Sequence, residues 1–149
     1  MGLKERLRDD LTEAIRSRDA ITSGTIRMVL TAITNEEVSG KSARELSQAE
    51  VITVLSREAK KRREAAEAFD AGARPEKAAT ERAEGDVIAK YLPAQLGEDE
   101  LARMVRDAIA ETGASGPSGM GLVMKALAPK IAGRADGASV SAVVKNALS

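Results

Sequence analysis

From Ser47 to Gly72 the chain reads SQAEVITVLSREAKKRREAAEAFDAG, and this stretch decides the fold class. Ser47 and Glu50 have the spacing of a capping box, in which the serine hydroxyl accepts from the N–H three residues on and the glutamate reaches back. Val51, Leu55, Ala59, Ala66 and Phe69 then fall on one face of a 3.6-residue helix. Gly72 stops the run, and Pro75 suits the first turn of a following helix, where its missing N–H loses no bond. A segment with its own start, apolar face and stop is a long helix.

The same reading extends in both directions. Upstream, Leu3, Leu7, Leu11 and Ile15, with Ala14 beside them, form one stripe. A break is expected over Asp19–Gly24. Ile26, Val29, Leu30 and Ile33 make a second stripe that should end near Gly40. Downstream of Pro75, a fourth helix carries Val87, Ile88 and Tyr91, and Pro93 must end it because the residue before a proline is pushed out of the α region. Leu92-Pro93-Ala94-Gln95-Leu96-Gly97 is the natural boundary. It implies an N-terminal domain over residues 1–93, a C-terminal domain over 97–149 and a linker at about 93–97. Beyond it, Glu98, Asp99 and Glu100 suit a helix N-terminus. Leu101, Met104, Val105 and Ala108 form a stripe closed by Gly113. A Gly/Ser/Pro-rich loop runs to Gly119, and two short helices follow, about Met120–Lys130 and Gly137–Leu148. Asp136 is the expected N-cap of the last, with Val140, Val143, Val144 and Ala147 facing inward. Nothing alternates with period two for more than a few residues. The expected fold is all-α, with about seven helices in two subdomains: an N-terminal four-helix part containing the long helix, and a C-terminal three-helix bundle.

Composition narrows the chemistry. Of 149 residues 43% are hydrophobic, yet Phe69 and Tyr91 are the only aromatics, so the core must be aliphatic. The chain has no cysteine and no histidine. Disulfides, thiolate metal sites and a cysteine nucleophile are excluded, and the commonest general base and metal ligand are missing. Binding is therefore expected rather than catalysis, with no catalytic residue assigned and no cofactor or metal. The 23 basic and 23 acidic side chains cancel, so attraction to a polyanion must come from a local patch. The opening Met1-Gly2-Leu3-Lys4-Glu5-Arg6 lacks the apolar core of a signal peptide. No apolar run is long enough to span a bilayer. The expectation is a cytoplasmic protein without membrane contact.

Several motifs taken together resemble one family. They are Ile26-Arg27-Met28 with Asn35-Glu36, Val54-Leu55-Ser56-Arg57-Glu58 followed by Lys60-Lys61-Arg62, and Lys90-Tyr91-Leu92-Pro93-Ala94-Gln95-Leu96. In the last third come Met120-Gly121-Leu122-Val123-Met124-Lys125 and Gly133-Arg134-Ala135-Asp136-Gly137 with Val140. The set covers essentially the whole chain and resembles the GatB/YqeY family. The resemblance implies a small protein whose fold is similar to the helical tail of the B subunit of tRNA-dependent amidotransferase. It also implies a likeness to domains appended to some glutaminyl-tRNA synthetases. In both settings the tail contacts tRNA away from the chemistry. An association with carbon–nitrogen ligase (glutamine amido-donor) activity comes with the family name, while the amidotransferase activity belongs to parts of the larger enzyme absent from this chain. One departure stands out: Asp136-Gly137 occupies the place where the amidotransferase tail tends to have Asn-Pro, keeping the cap and losing the stiffening of a first-turn proline.

Four sets of residues are candidates for function. After Glu111 the charged side chains are Lys125, Lys130, Arg134, Asp136 and Lys145. With Gly119, Gly121 and Gly133 allowing close backbone approach and helix N-termini nearby, the four cations can receive a phosphate backbone; the alternative is a mildly basic solvated surface. Arg57, Lys60, Lys61, Arg62 and Arg63 form a second set, read either as a solvated helix face or as a docking surface for a protein partner or tRNA. Arg62 alone falls on the apolar side, with Glu58 one turn before it as a candidate partner. Tyr91 is read as a packing residue, with base stacking as the alternative. Ser56 and Lys60 have the spacing of a Ser–Lys dyad, but an open helix face supplies neither a desolvated lysine nor oxyanion donors. The leading function is a non-catalytic tRNA-binding accessory module, and the alternative is an adaptor docking on a tRNA synthetase or another protein. Sequence-specific DNA binding is disfavoured because Asp136, Gly137, Ala138 and Ser139 offer no side chains suited to base edges.

Overall fold

The capping box is formed: Ser47 Oγ accepts from the Glu50 N–H at 3.2 Å, and Glu50 Oε1 accepts from the Ser47 N–H at 3.1 Å. It opens the helix Gln48–Ala71, longer by two residues than the apolar stripe implied. In this computed structural model, which describes residues 2–149, the elements in order are α1 Leu3–Arg16, α2 Ala20–Glu37, α3 Gln48–Ala71, α4 Pro75–Ala89 and α5 Glu98–Thr112. A single 3₁₀ turn at Pro117–Gly119 follows, then α6 Met120–Ile131 and α7 Gly137–Leu148. Among the described residues there are seven α-helices and no strand.

Most stops act where the sequence puts them. Gly72 caps α3, Pro75 sits in the first turn of α4, and Gly113 closes α5 in the left-handed region at φ 67°. Asp136 accepts from the Ala138 N–H at 3.4 Å to begin α7. Three expectations fail locally. The first break is three residues long and lies before Ala20: Asp19 is the N-cap of α2, accepting from the Thr22 N–H, and Gly24 lies inside the helix. Asp19 is held below the usual carboxylate range by its hydrogen bonds from Thr22. Helix α2 ends at Glu37, before Gly40; the Glu37 carbonyl accepts from the Arg44 N–H of the following loop at 3.0 Å, and its carboxylate meets Lys4 at 2.7 Å and the Leu46 N–H at 3.2 Å. Helix α4 ends at Ala89, so Tyr91 lies past the helix rather than on it.

Contacts divide the chain into two compact units, Met1–Leu92 and Pro93–Ser149. In the first, Leu3, Leu7, Ile26, Val29, Ile33, Leu46, Val51, Val54, Leu55, Val87, Ile88 and Tyr91 form one buried cluster. Ile15, expected on the α1 stripe, is 49% exposed, and Ala14 takes the buried place beside it. In the second, Leu101, Val105 and Ala108 of α5 meet Val123, Leu127 and Ile131 of α6 and Val140, Val144 and Leu148 of α7. Gly119 makes the turn into α6 possible: a Cβ there would sit 2.8 Å from the Ala114 Cβ. Both cores are aliphatic apart from Tyr91.

The cap of α3 also gathers charge. Arg44 reaches Glu50 through both guanidinium ends, and this bond, with the Ser47 N–H, holds the Glu50 carboxyl down at about 2. The stabilisation is present above the ordinary carboxylate pKa of ~4.3 and is lost as pH falls toward 2. Replacing Ser47 by alanine should cost about 1 kcal/mol in urea unfolding at neutral pH. The loss should be smaller in Glu50→Ala, where half the box is already gone. Equal losses in both backgrounds would show that the two halves of the box act independently.

Candidate nucleic-acid interface

The second unit begins on a strap. Gln95 Nε2 donates to the Pro93 carbonyl at 2.8 Å and to the Gly133 carbonyl at 2.7 Å, and the Leu96 N–H donates to the Arg134 carbonyl at 2.9 Å. Arg134 returns the contact, its Nε donating to the Ala94 carbonyl at 3.0 Å and its Nη2 to Glu100 Oε1 at 3.5 Å. Gly133 supports this arrangement with φ 72°, a left-handed turn that suits glycine. The segment expected as a linker is thus bonded to the α6–α7 turn.

This separates the C-terminal cations by role. Arg134 is half-buried and engaged with its own unit, as is Gly133. Lys130, in the last turn of α6, has its Nζ 3.5 Å from Glu111 Oε2, both side chains more than half exposed, so that pair is weak and available for exchange. Lys125 on α6 and Lys145 in the last turn of α7 are exposed and make no ion pair among the described residues. Gly121 lies in the first turn of α6, and nothing occupies the space a side chain there would take. That turn has no side-chain cap and no acidic residue, which leaves the positive end of the helix uncompensated by side chains. On α5, Arg103 and Arg106 are also exposed without an ion pair among the described residues. Their place among five acidic residues of the same helix, Glu98 to Glu111, hides them from a charge count along the sequence.

The basic run of α3 is mostly neutralised. Arg57 pairs with Glu36 at 3.2 Å and Lys60 with Glu64 at 4.0 Å. Lys61 pairs with Glu58 at 3.0 Å, and Glu58 is buried. Arg62 does not pair with Glu58 as its spacing suggested. It crosses to α4, where its Nη1 lies 3.3 Å from Glu84 Oε2 and 3.4 Å from Glu81 Oε2. Gly85 brings the α4 backbone close, its Cβ position falling 3.7 Å from the Arg62 Cβ. Only Arg63 of the five is exposed without an ion pair among the described residues. Ser56 Oγ is buried without a hydrogen-bond partner, so no bond joins it to Lys60 and no dyad forms.

Tyr91 is buried. Its ring lies under Arg6, whose guanidinium carbon is 4.7 Å from the ring centre, and its hydroxyl donates to the Asp10 carboxylate. Arg6 Nη2 also donates to the Lys90 carbonyl at 3.5 Å. Packing, not base stacking, occupies this ring. A cleft of about 130 Å³, lined by Lys4, Glu5, Arg8, Glu45 and Gln48 among others, is of mixed charge and includes none of the candidate residues. Among the described residues no group of three or more acidic side chains is placed to hold a metal ion, and no helix is long and apolar enough to cross a membrane.

With this geometry in hand, comparison with known families gives one match: a family model described as Yqey-like protein covers residues 4–148, nearly the whole chain. No curated protein matches the chain.

Burial, and then the hydrogen bond to Asp10, push the Tyr91 hydroxyl well above its ordinary value. The neutral phenol is the form favoured by folding. Its stabilisation is complete below the unfolded tyrosine pKa of ~10 and is lost as pH rises beyond it. Because Tyr91 is the only tyrosine, its ionisation can be followed alone by absorbance at alkaline pH. The midpoint should lie above ~10 in the folded protein and move down in Asp10→Asn. An ordinary midpoint in both proteins would show that the ring is solvated.

Proposed function

The chain belongs to the YqeY family, and we propose that it is a tRNA-binding accessory module, itself non-catalytic, that receives the phosphate backbone on its C-terminal helices. The observation that carries this reading is the contrast in commitment of the basic side chains. Lys125 and Lys145 are exposed and unpaired, and Lys130 is held only by an exposed glutamate. Four of the five cations at residues 57–63 are neutralised by carboxylates of their own unit. A free cation releases a condensed counterion on meeting a phosphate, whereas a paired one must first give up its partner. The first turn of α6 follows a 3₁₀ turn to whose Pro117 carbonyl the Met120 N–H donates; without a side-chain cap or acidic residue, and open at Gly121, it adds the positive end of a helix dipole.

In this reading Lys125, Lys130 and Lys145 touch phosphates. Arg134 and Gly133 hold the strap and so position the surface. The expected sequence preference is slight, because lysine reaching a phosphate is a point charge that reads no base edge. Docking on a tRNA synthetase or another protein is the competing reading, and it rests on the same 57–63 face whose cations are mostly spent.

The test is titration of labelled total tRNA against the protein at several salt concentrations. Binding should weaken with a log–log slope of about −0.7 to −0.9 per phosphate neutralised. Lys125→Glu with Lys145→Glu should abolish it, while Arg57→Glu should leave it nearly unchanged. Affinity that survives the double reversal would refute the assignment of the site. Absence of binding at low salt would refute the function and leave the docking reading.

A further inference from the structure

The buried cluster of the first unit takes Val51, Val54 and Leu55 from α3, and Val87 and Ile88 from α4, with Ala59 packed on its edge. It takes nothing from residues 60–86. Over that stretch the α3–α4 hairpin buries only Ala66 and Ala78, two methyl groups. The remaining ties are polar: Arg62 to Glu81 and Glu84, Arg82 to Asp70, and Lys77 over the Phe69 ring at 5.6 Å. The turn at the far end adds strain, since Ala73 lies at φ 58°, a region that disfavours a side chain.

Of these ties the Arg62 group is the most enclosed. Its side chain is 20% exposed, and those of Glu81 and Glu84 are 18% and 25% exposed. The Arg82–Asp70 pair, at the outer end, is about half exposed, where screening leaves little stabilisation. The Glu81 contact is an ion pair without hydrogen-bond geometry, and Arg62 Nε is buried with no acceptor.

From this placement we infer that residues 60–86 form an arm that opens by itself while the body of the first unit stays folded, with Arg62 between Glu81 and Glu84 as its latch. Segments with few buried apolar contacts open at lower free energy than the core beside them. The arm has the alanine pair and the latch; the body has the whole aliphatic cluster. Opening exposes little apolar surface, so it can proceed without drawing the body apart.

Native-state hydrogen exchange on the full-length protein, read by mass spectrometry at low denaturant, tests this. Amides in peptides spanning 62–83 should be at least ~10-fold less protected than those around Val54, Leu55 and Ile88, with a weaker denaturant dependence. Equal protection and equal slope in arm and body would overturn the inference. Arg62→Met should cost the arm a further ~10-fold in protection with the body unchanged, and Arg63→Met, one residue along and exposed, should change neither. Loss in arm and body together, or no loss in the arm, would remove Arg62 as the latch. Should Arg62→Met not fold, Glu84→Gln keeps the guanidinium and one carboxylate, and must still lower protection in the same peptides alone.

Discussion

A core made almost entirely of alanine, valine, leucine and isoleucine is the constraint on which the rest of this molecule depends. Aromatic side chains bridge wide gaps between elements and bury a large area each; here Tyr91 is the only one buried, and Phe69 is half-covered on the hairpin. Short aliphatic side chains fill space only where helices come close. The second unit meets this requirement with Gly119 under Ala114, and the α3–α4 hairpin with Gly85 beside Arg62. Where the facing positions are alanines, as at Ala66 and Ala78, close approach secures little apolar area, and polar groups must hold the helices in register.

Polar ties therefore carry a share of the organisation that apolar area carries elsewhere. Lys4, Glu37 and the Leu46 N–H close the long loop between α2 and α3. Lys4 and the Leu46 N–H also hold Glu37 below the ordinary carboxylate range. Arg6, Asp10 and Tyr91 fix the end of α4 against α1. Gln95 and Arg134 fasten the start of the second unit to its α6–α7 turn. Each tie sits where a helix ends, and helix ends are where backbone groups lack intrahelical partners. A chain with equal numbers of basic and acidic side chains can spend part of its ionic groups this way. Other cations, Lys125 and Lys145 among them, make no ion pair among the described residues.

The helices were legible because their signals are local. Ser47 with Glu50, Gly72 with Pro75, Gly113 and Asp136 each act within one turn of chain, so residue type and spacing are sufficient. The failures share a different cause. Ile15 continues the α1 stripe at four-residue spacing, but the buried face runs from Leu7 through Ala14 and leaves Ile15 exposed. Gly24 looked like a break, yet the Asp19 cap one turn earlier overrides it. Gly40 follows a helix that has already ended at Glu37, whose carbonyl is bonded by the Arg44 N–H of the loop and whose carboxylate meets a lysine thirty-three residues away. For the candidate site, the free lysines were legible as cations but not as free. Arg134 shows why: its partners at Ala94 and Glu100 lie at separations of forty and thirty-four residues, and no spacing rule reaches that far.

Arg62 brings these strands together. A partly buried arginine with an unmet Nε is a costly way to join two helices, because apolar residues replacing the whole ionic group often lose nothing, whereas removal of the arginine alone leaves Glu81 and Glu84 unpaired. Apolar residues at 62, 81 and 84 together would extend the core along the hairpin and fasten α3 to α4 through area, which is indifferent to small slips of register. A guanidinium between two carboxylates is not indifferent. Glu81 and Glu84 stand one turn apart on α4, and only one longitudinal setting of the helices brings both within 3.4 Å of Nη1. The group thus specifies where the arm docks as well as helping to hold it there. An arm that closes to one position and opens without cost to the body requires that combination, and an arm built on a continuous apolar seam could not supply it.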